Sequence, residues 1–235
     1  MLWAQVLLFS QESPQPILTK ALYFDVSPPL RDMVLRQSEK ADLSWKEGFV
    51  RNFYLSPEKQ QIIQNRKPDN MIQDYQGKVI SDTTRVNFEG VNNVNNVVPP
   101  DTYGDIGPSH YFQLVNLSFA IFDRQGQKLL GPVNTSTIWD GMPHNFNNGD
   151  GVVLYDENAD RWLVSQFSFP SFPEAPFYQM VAVSQTSDPT GSWYRWEFKF
   201  DEIPDYPKFG VWRDGYYMSY TRIKSNSFQW LGVGA

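Results

Sequence analysis

Residues 99–235 predict an all-β fold: a β-propeller-like array of four-stranded antiparallel blades, two to three of them, preceded by an irregular N-terminal region over residues 1–98. Three observations carry this prediction. Rings are concentrated in the second part of the chain, where 27 of the 37 Phe, Trp and Tyr residues follow position 100, and ring-rich, β-branched segments favour pleated strands. An aspartate recurs just before or within an apolar run at Asp105, Asp150 and Asp205, spacings of 45 and 55 residues. The second and third of these runs continue alike, as a strand, a polar turn and a second strand opening on rings, which is a hairpin used twice.

The elements follow in chain order. Met1–Phe9 is a short apolar run ahead of a Ser/Gln/Pro stretch. Residues 1–16 read as a signal-peptide remnant, although no basic n-region precedes them. Around residues 57–66 a single short helix is predicted, because Ser56 can cap it, Pro57 suits the first turn and Glu58 complements the helix dipole. The Asn-rich stretch 91–98 has no period and reads as a linker ending at Pro99 and Pro100.

Beyond that boundary, four strands are predicted between Asp150 and Asp205: 152–155, 161–168, 177–184 and 193–200. The last alternates strictly, Trp193-Tyr194-Arg195-Trp196-Glu197-Phe198-Lys199-Phe200, as a half-exposed outer strand does. Four antiparallel strands per repeat of about 45 to 55 residues is the pattern of a propeller blade. Closure takes about four to eight blades, so fewer than three in 101–235 read as an N-terminal fragment of a longer protein.

Four ordered motifs extend the pattern. They are Pro99 to Tyr111, Leu154-Tyr155-Asp156 with Ala159-Asp160-Arg161-Trp162, Ser187-Asp188-Pro189-Thr190-Gly191-Ser192-Trp193-Tyr194, and Asp205 to Trp212. Over about residues 85–222 they resemble a family of large secreted bacterial β-propeller-type proteins of uncharacterised function, whose members often end in a sorting domain of the Por (type IX) secretion pathway. The resemblance implies a propeller fold and a secreted or cell-surface location. It implies no activity.

Composition narrows the chemistry. Twenty-six acidic against 20 basic side chains give a net charge of −6, which disfavours a broad grip on nucleic acid. All of the excess lies after residue 100, with 15 acidic and 9 basic side chains against 11 and 11 before it. Cysteine is absent and histidine is limited to His110 and His144, so thiolate and His-rich metal sites are excluded. The mean hydropathy of −0.46 fits no transmembrane segment.

The candidate site residues form two groups. If Asp105, Asp150 and Asp205 face a common channel, they make a carboxylate ring. Such a ring would hold Ca²⁺ through hard oxygens or supply the acid and base of a glycosidase. Equally, each aspartate can bond the backbone of a tight turn. The second group is Trp139, Asp140, His144 and Asn145, in a Gly/Pro/Asn-rich loop whose composition suits sugar binding, with a ring to stack on the pyranose and polar groups for its hydroxyls. The same composition suits a plain exposed connection. His110 reads as structural. Asp156-Glu157-Asn158-Ala159-Asp160 has the opening spacing of a calcium loop, but Arg161 and Phe167 occupy positions needing Gly and Glu. Asn116-Leu117-Ser118 and Asn134-Thr135-Ser136 match the N-glycosylation acceptor, the first within an expected strand.

The reading is therefore a secreted, non-catalytic β-propeller binding module or scaffold whose ligand is a glycan, an extracellular or surface protein, or a cation such as Ca²⁺. The alternative is a glycoside hydrolase or lyase using channel-facing carboxylates.

Overall fold

The computed structural model describes residues 20–34, 86–97 and 99–235. The expected signal remnant at 1–16 and the helix near 57–66 lie outside these residues. The described chain is all-β. β1 (Tyr23–Val26) and the one-turn helix α1 (Leu30–Val34) precede β2 (Thr102–Ile106), β3 (His110–Val115), β4 (Ser118–Asp123) and β5 (Lys128–Asn134). A 3₁₀ turn (Thr135–Trp139) leads toward β6 (Val152–Asp156), β7 (Arg161–Ser168), β8 (Phe177–Ser184) and β9 (Trp193–Phe200). β10 (Ile203–Trp212), β11 (Gly215–Ile223) and β12 (Trp230–Gly234) complete the order.

These strands form three antiparallel meanders. The first sheet runs β2-β3-β4-β5, the second β1-β9-β8-β7-β6 and the third β10-β11-β12. β6, the first strand of the β6–β9 meander in the second sheet, lies beside the first strands of the other two sheets, β2 and β10. None of the three sheets closes on itself.

Turn chemistry sets these hairpins. Asp156 Oδ1 accepts the N–H groups of Asn158 and Ala159 at 2.9 and 3.0 Å, tightening the β6–β7 turn. Asp123 Oδ1 does the same for Gln125 and Gln127 in the β4–β5 turn, where Gly126 adopts φ +85°. Asn116, at φ +52°, occupies the β3–β4 turn and not a strand, and its amide donates to Pro99 O at 2.8 Å.

The main core lies between the first and second sheets. Phe112, Leu114, Phe119 and Ile121 meet Val153, Trp162, Met180 and Trp193, with Leu30 and Met33 of α1 closing one side. Each such side chain contributes about 1.5–3 kcal/mol on burial. Strand β9 alternates as expected, with Trp193, Arg195 and Glu197 buried and Tyr194 exposed, but it is not an outer strand, because β1 pairs along its far edge.

Two features revise the expected organisation. The N-terminal region is not wholly irregular, because β1 pairs with β9, Tyr23 to Val26 lying opposite Glu197 to Tyr194, and gives the second sheet a fifth strand. Residues 86–97 are not a free linker. Val91 N–H donates to Gln113 Oε1 at 2.8 Å, Asn93 bonds Val97 through both its oxygen and its amide, and Phe88 packs on Tyr111 and Phe122.

Candidate binding site at the first strands of the three sheets

Asp105, the fourth residue of β2, accepts two backbone N–H groups. Oδ1 takes that of Ile106 and Oδ2 that of Tyr155 on β6, each at 2.8 Å. Asp150 repeats the second bond one sheet later. Held at φ +51° just before β6, it accepts the N–H of Tyr206 on β10 at 3.2 Å. The aspartates thus serve the turn-and-strand role that short carboxylates perform for backbone donors, and they brace successive sheets together.

They do not form one ring. Asp105 bonds the fourth residue of β6, whereas Asp150 lies ahead of that strand's first residue, beside Asp101, Thr102 and Tyr103. Asp205 sits in β10 at the start of a bulge running to Lys208. That bulge, with Tyr206 at φ +52°, leaves the residue 64% exposed. Among the described residues no group of three or more His, Cys, Asp or Glu side chains is arranged to hold a metal ion.

The bulge closes a cavity of about 260 Å³ lined by Asp101, Tyr103, Asp150, Tyr206 and Lys208. The Lys208 ammonium lies 3.6 Å from the centroid of the Tyr206 ring and 5.8 Å from that of Tyr103. Burial pushes the Asp150 carboxyl up to about 6. The Asp205 and Asp101 charges add to the rise, while the Tyr206 N–H and Lys208 oppose it. Burial also raises Asp205. Two acids are therefore held in a setting that disfavours their charge, next to two aromatic faces and one ammonium.

Of this cluster, sequence reasoning named Asp150 and Asp205 and missed Asp101, Tyr103, Tyr206 and Lys208. A signal existed. Taking Asp101 in place of Asp105 gives successive spacings of 49 and 55 through Asp150 to Asp205, with a tyrosine two residues after Asp101 and one residue after Asp205.

Of the second predicted group only Trp139 lies in the interior, while Asp140, His144 and Asn145 are half-buried. Trp139 is fully buried, with its indole N–H donating to Gln166 Oε1 at 2.9 Å, so its ring is not presented for stacking on a sugar. The Asp140 carbonyl accepts from Arg195 at 2.8 Å. His144 stacks on Tyr178 with centroids 3.9 Å apart; its Nδ1 lies 2.8 Å from Glu197 Oε1 and its Nε2 3.0 Å from the Tyr178 hydroxyl. Asn145 turns its Oδ1 inward, without a hydrogen-bond partner among the described residues. The loop is pinned further by Ser168 to Phe146, Gln166 to Asn147 and Phe169 to Asn148. It is a packed insert, with amide side chains satisfying backbone that would otherwise be orphaned.

The incomplete calcium loop is likewise occupied. Asp156 is buried, and its Oδ2 accepts the Tyr216 hydroxyl at 2.9 Å while Oδ1 holds the turn. In the Ser187–Trp193 turn, Asp188 accepts the Thr190 N–H at 2.9 Å and the Trp193 indole donates to Pro189 O at 3.0 Å, a structural arrangement. No helix among the described residues is long and apolar enough to cross a membrane. None of the family models, curated proteins and solved structures compared with the chain matches it.

Proposed function

We propose that the chain is a non-catalytic binding module of a secreted β-propeller-type scaffold, taking its ligand at the first strands of its three sheets. The observation that carries this reading is the cavity between Asp101, Tyr103, Asp150, Tyr206 and Lys208, where aromatic faces supply contact area and a few convergent polar groups supply orientation. The side-by-side β2, β6 and β10 support the propeller arrangement, in which first strands line a common axis. The ligand classes that fit are a glycan, a side chain of an extracellular protein, or a cation.

A glycosidase reading has one observation in its favour, the Asp150 carboxyl raised to about 6 beside a second carboxylate. Acid–base hydrolysis, however, relies on environments that push two carboxyls apart. Here burial raises both Asp150 and Asp205, and one Asp150 oxygen is engaged by the Tyr206 N–H. Binding is the better use of this geometry.

The test is calorimetric titration of the 235-residue protein with methyl glycosides, a lysine-rich peptide and calcium chloride, alongside assays on aryl glycosides. Saturable binding of one class that is lost in Asp150→Asn and Tyr206→Ala is the expected result. Binding untouched by both variants, binding of no class, or sugar release abolished by Asp150→Asn would each overturn the reading.

A further inference from the structure

We infer that the group recognised in this cavity is an alkylammonium, such as a lysine side chain or a quaternary amine, and that Lys208 occupies its place in the free protein. The inference rests on the binding reading above and narrows it to one chemistry.

Lys208 supplies the geometry. Its Nζ stands over the Tyr206 ring at 3.6 Å and within 5.8 Å of the Tyr103 ring, both inside the distance at which a cation is attracted to a ring face. The charges around it agree. Asp101 and Asp150 line the same cavity, and Asp205 lies near enough for its charge to act on Asp150. One ammonium beside the two carboxylates that line the cavity, with a third close by, leaves the site short of positive charge. A neutral sugar would leave that imbalance in place, whereas an incoming ammonium that keeps the aromatic contacts relieves it.

Lys208 is also a poor permanent tenant. It is exposed, it sits within the β10 bulge, and a lysine head on a four-carbon stem gives up considerable rotamer freedom when held in one place. Water can take the ammonium when a ligand arrives. Tyr206 is the movable wall, being 64% exposed, and Tyr103 on β2 is the half-buried one. Lys208 is thus an internal competitor, and removing it should improve binding while removing either ring or the Asp150 charge should weaken it.

The experiment titrates the 235-residue protein with choline chloride, with N-acetyl-lysine methylamide and with methyl α-glucoside, following shifts of the tyrosine ring signals by NMR. Lys208→Met, checked for native β-sheet content by circular dichroism, is expected to bind both amines roughly ten-fold more tightly than the parent, on the order of one cation–π contact. Tyr206→Ala in the Lys208→Met background is expected to abolish that gain. Choline presents a quaternary ammonium and the lysine analogue a primary one on an alkyl stem, so the two titrations probe each class separately. Amine binding that does not tighten in Lys208→Met overturns the inference. Glucoside binding lost in Tyr206→Ala, without amine binding, overturns the ammonium assignment and leaves the binding site standing. The absence of all binding in both proteins overturns both.

Discussion

The Asp105 carboxylate on β2 accepts the backbone N–H of Tyr155 on β6, at 2.8 Å and across 50 residues of chain. A second aspartate, Asp150, makes the corresponding bond to Tyr206 on β10. The first strand of each sheet is therefore tied to the next through a side chain, in addition to whatever apolar packing the sheets share.

Removing this tie should loosen the first sheet from the second. Asp105→Ala leaves the Tyr155 and Ile106 N–H groups without their carboxylate and is expected to cost about 1–2 kcal/mol. Asp105→Asn keeps a single acceptor oxygen and should fall between the variant and the parent. Urea unfolding checks the order parent, Asn, Ala; an Ala variant as stable as the parent refutes the brace.

For Asp150 the expected sign is opposite. Its carboxyl is raised in the folded protein from its ordinary 3.8 to about 6, so the native state holds the proton longer than the unfolded chain does. Stability from this group is fully present below about pH 4, falls as pH rises toward 6, and stays lost above it. Asp150→Asn removes the penalty, keeps an oxygen for the Tyr206 N–H and tolerates the positive φ at this position. Its advantage over the parent is at most about 3 kcal/mol at pH 7 and vanishes at pH 4. Thermal melts at the two pH values measure the difference directly.

Arg195 offers a sharper test of the core. It is 2% exposed, and its guanidinium is held by Asp25 of β1 at 2.6 and 2.8 Å and by the carbonyls of Ile138 and Asp140. Asp25→Ala leaves a buried cation without its carboxylate, for a loss of about 3 kcal/mol. Arg195→Met with Asp25→Ala should recover much of it. Chemical denaturation of the single and double variants forms the cycle, and additive losses would show that the pair is not coupled.

His144, half-buried, and Glu197 form a second pair. Glu197 is fully buried, one oxygen meets His144 Nδ1 at 2.8 Å and the other has no hydrogen-bond partner among the described residues. His144→Phe preserves the stack on Tyr178 and strips the carboxylate of its partner, for an expected cost of about 2–3 kcal/mol. Adding Glu197→Met should restore most of the stability, because replacing both partners by apolar groups removes the unmet acceptor. A double variant no more stable than His144→Phe alone would argue against the pairing.

Much of the sheet framework was legible in the chain. The strands expected at 152–155, 161–168, 177–184 and 193–200 are β6 to β9 with almost unchanged limits, since alternating rings and turn aspartates act over a few neighbouring residues. Pairing across the chain was not legible: nothing local in Tyr23–Val26 says that it docks on β9. The loop with Trp139 and His144 misled for a related reason. Its Gly, Pro and Asn content suggests exposure, yet those amides satisfy hidden backbone, a role that only the three-dimensional setting reveals. The cavity itself depends on a bulge in β10, and a bulge leaves little trace in composition.

The addition of β1 to the second sheet has a consequence for biosynthesis. Arg195 and Asp25 are separated by 170 positions, and at a usual elongation rate of about 5–20 residues per second the ribosome needs roughly 10 to 30 s to make the chain between them. The first meander is complete before then, while the earlier-made strand waits for a neighbour translated 170 positions later. Throughout that interval Phe24 and Val26 carry an unmatched hydrogen-bonding edge, open to capture by another nascent chain or by a chaperone. The second sheet can gain its outermost strand, the oldest piece of the sheet, only once β9 has been made.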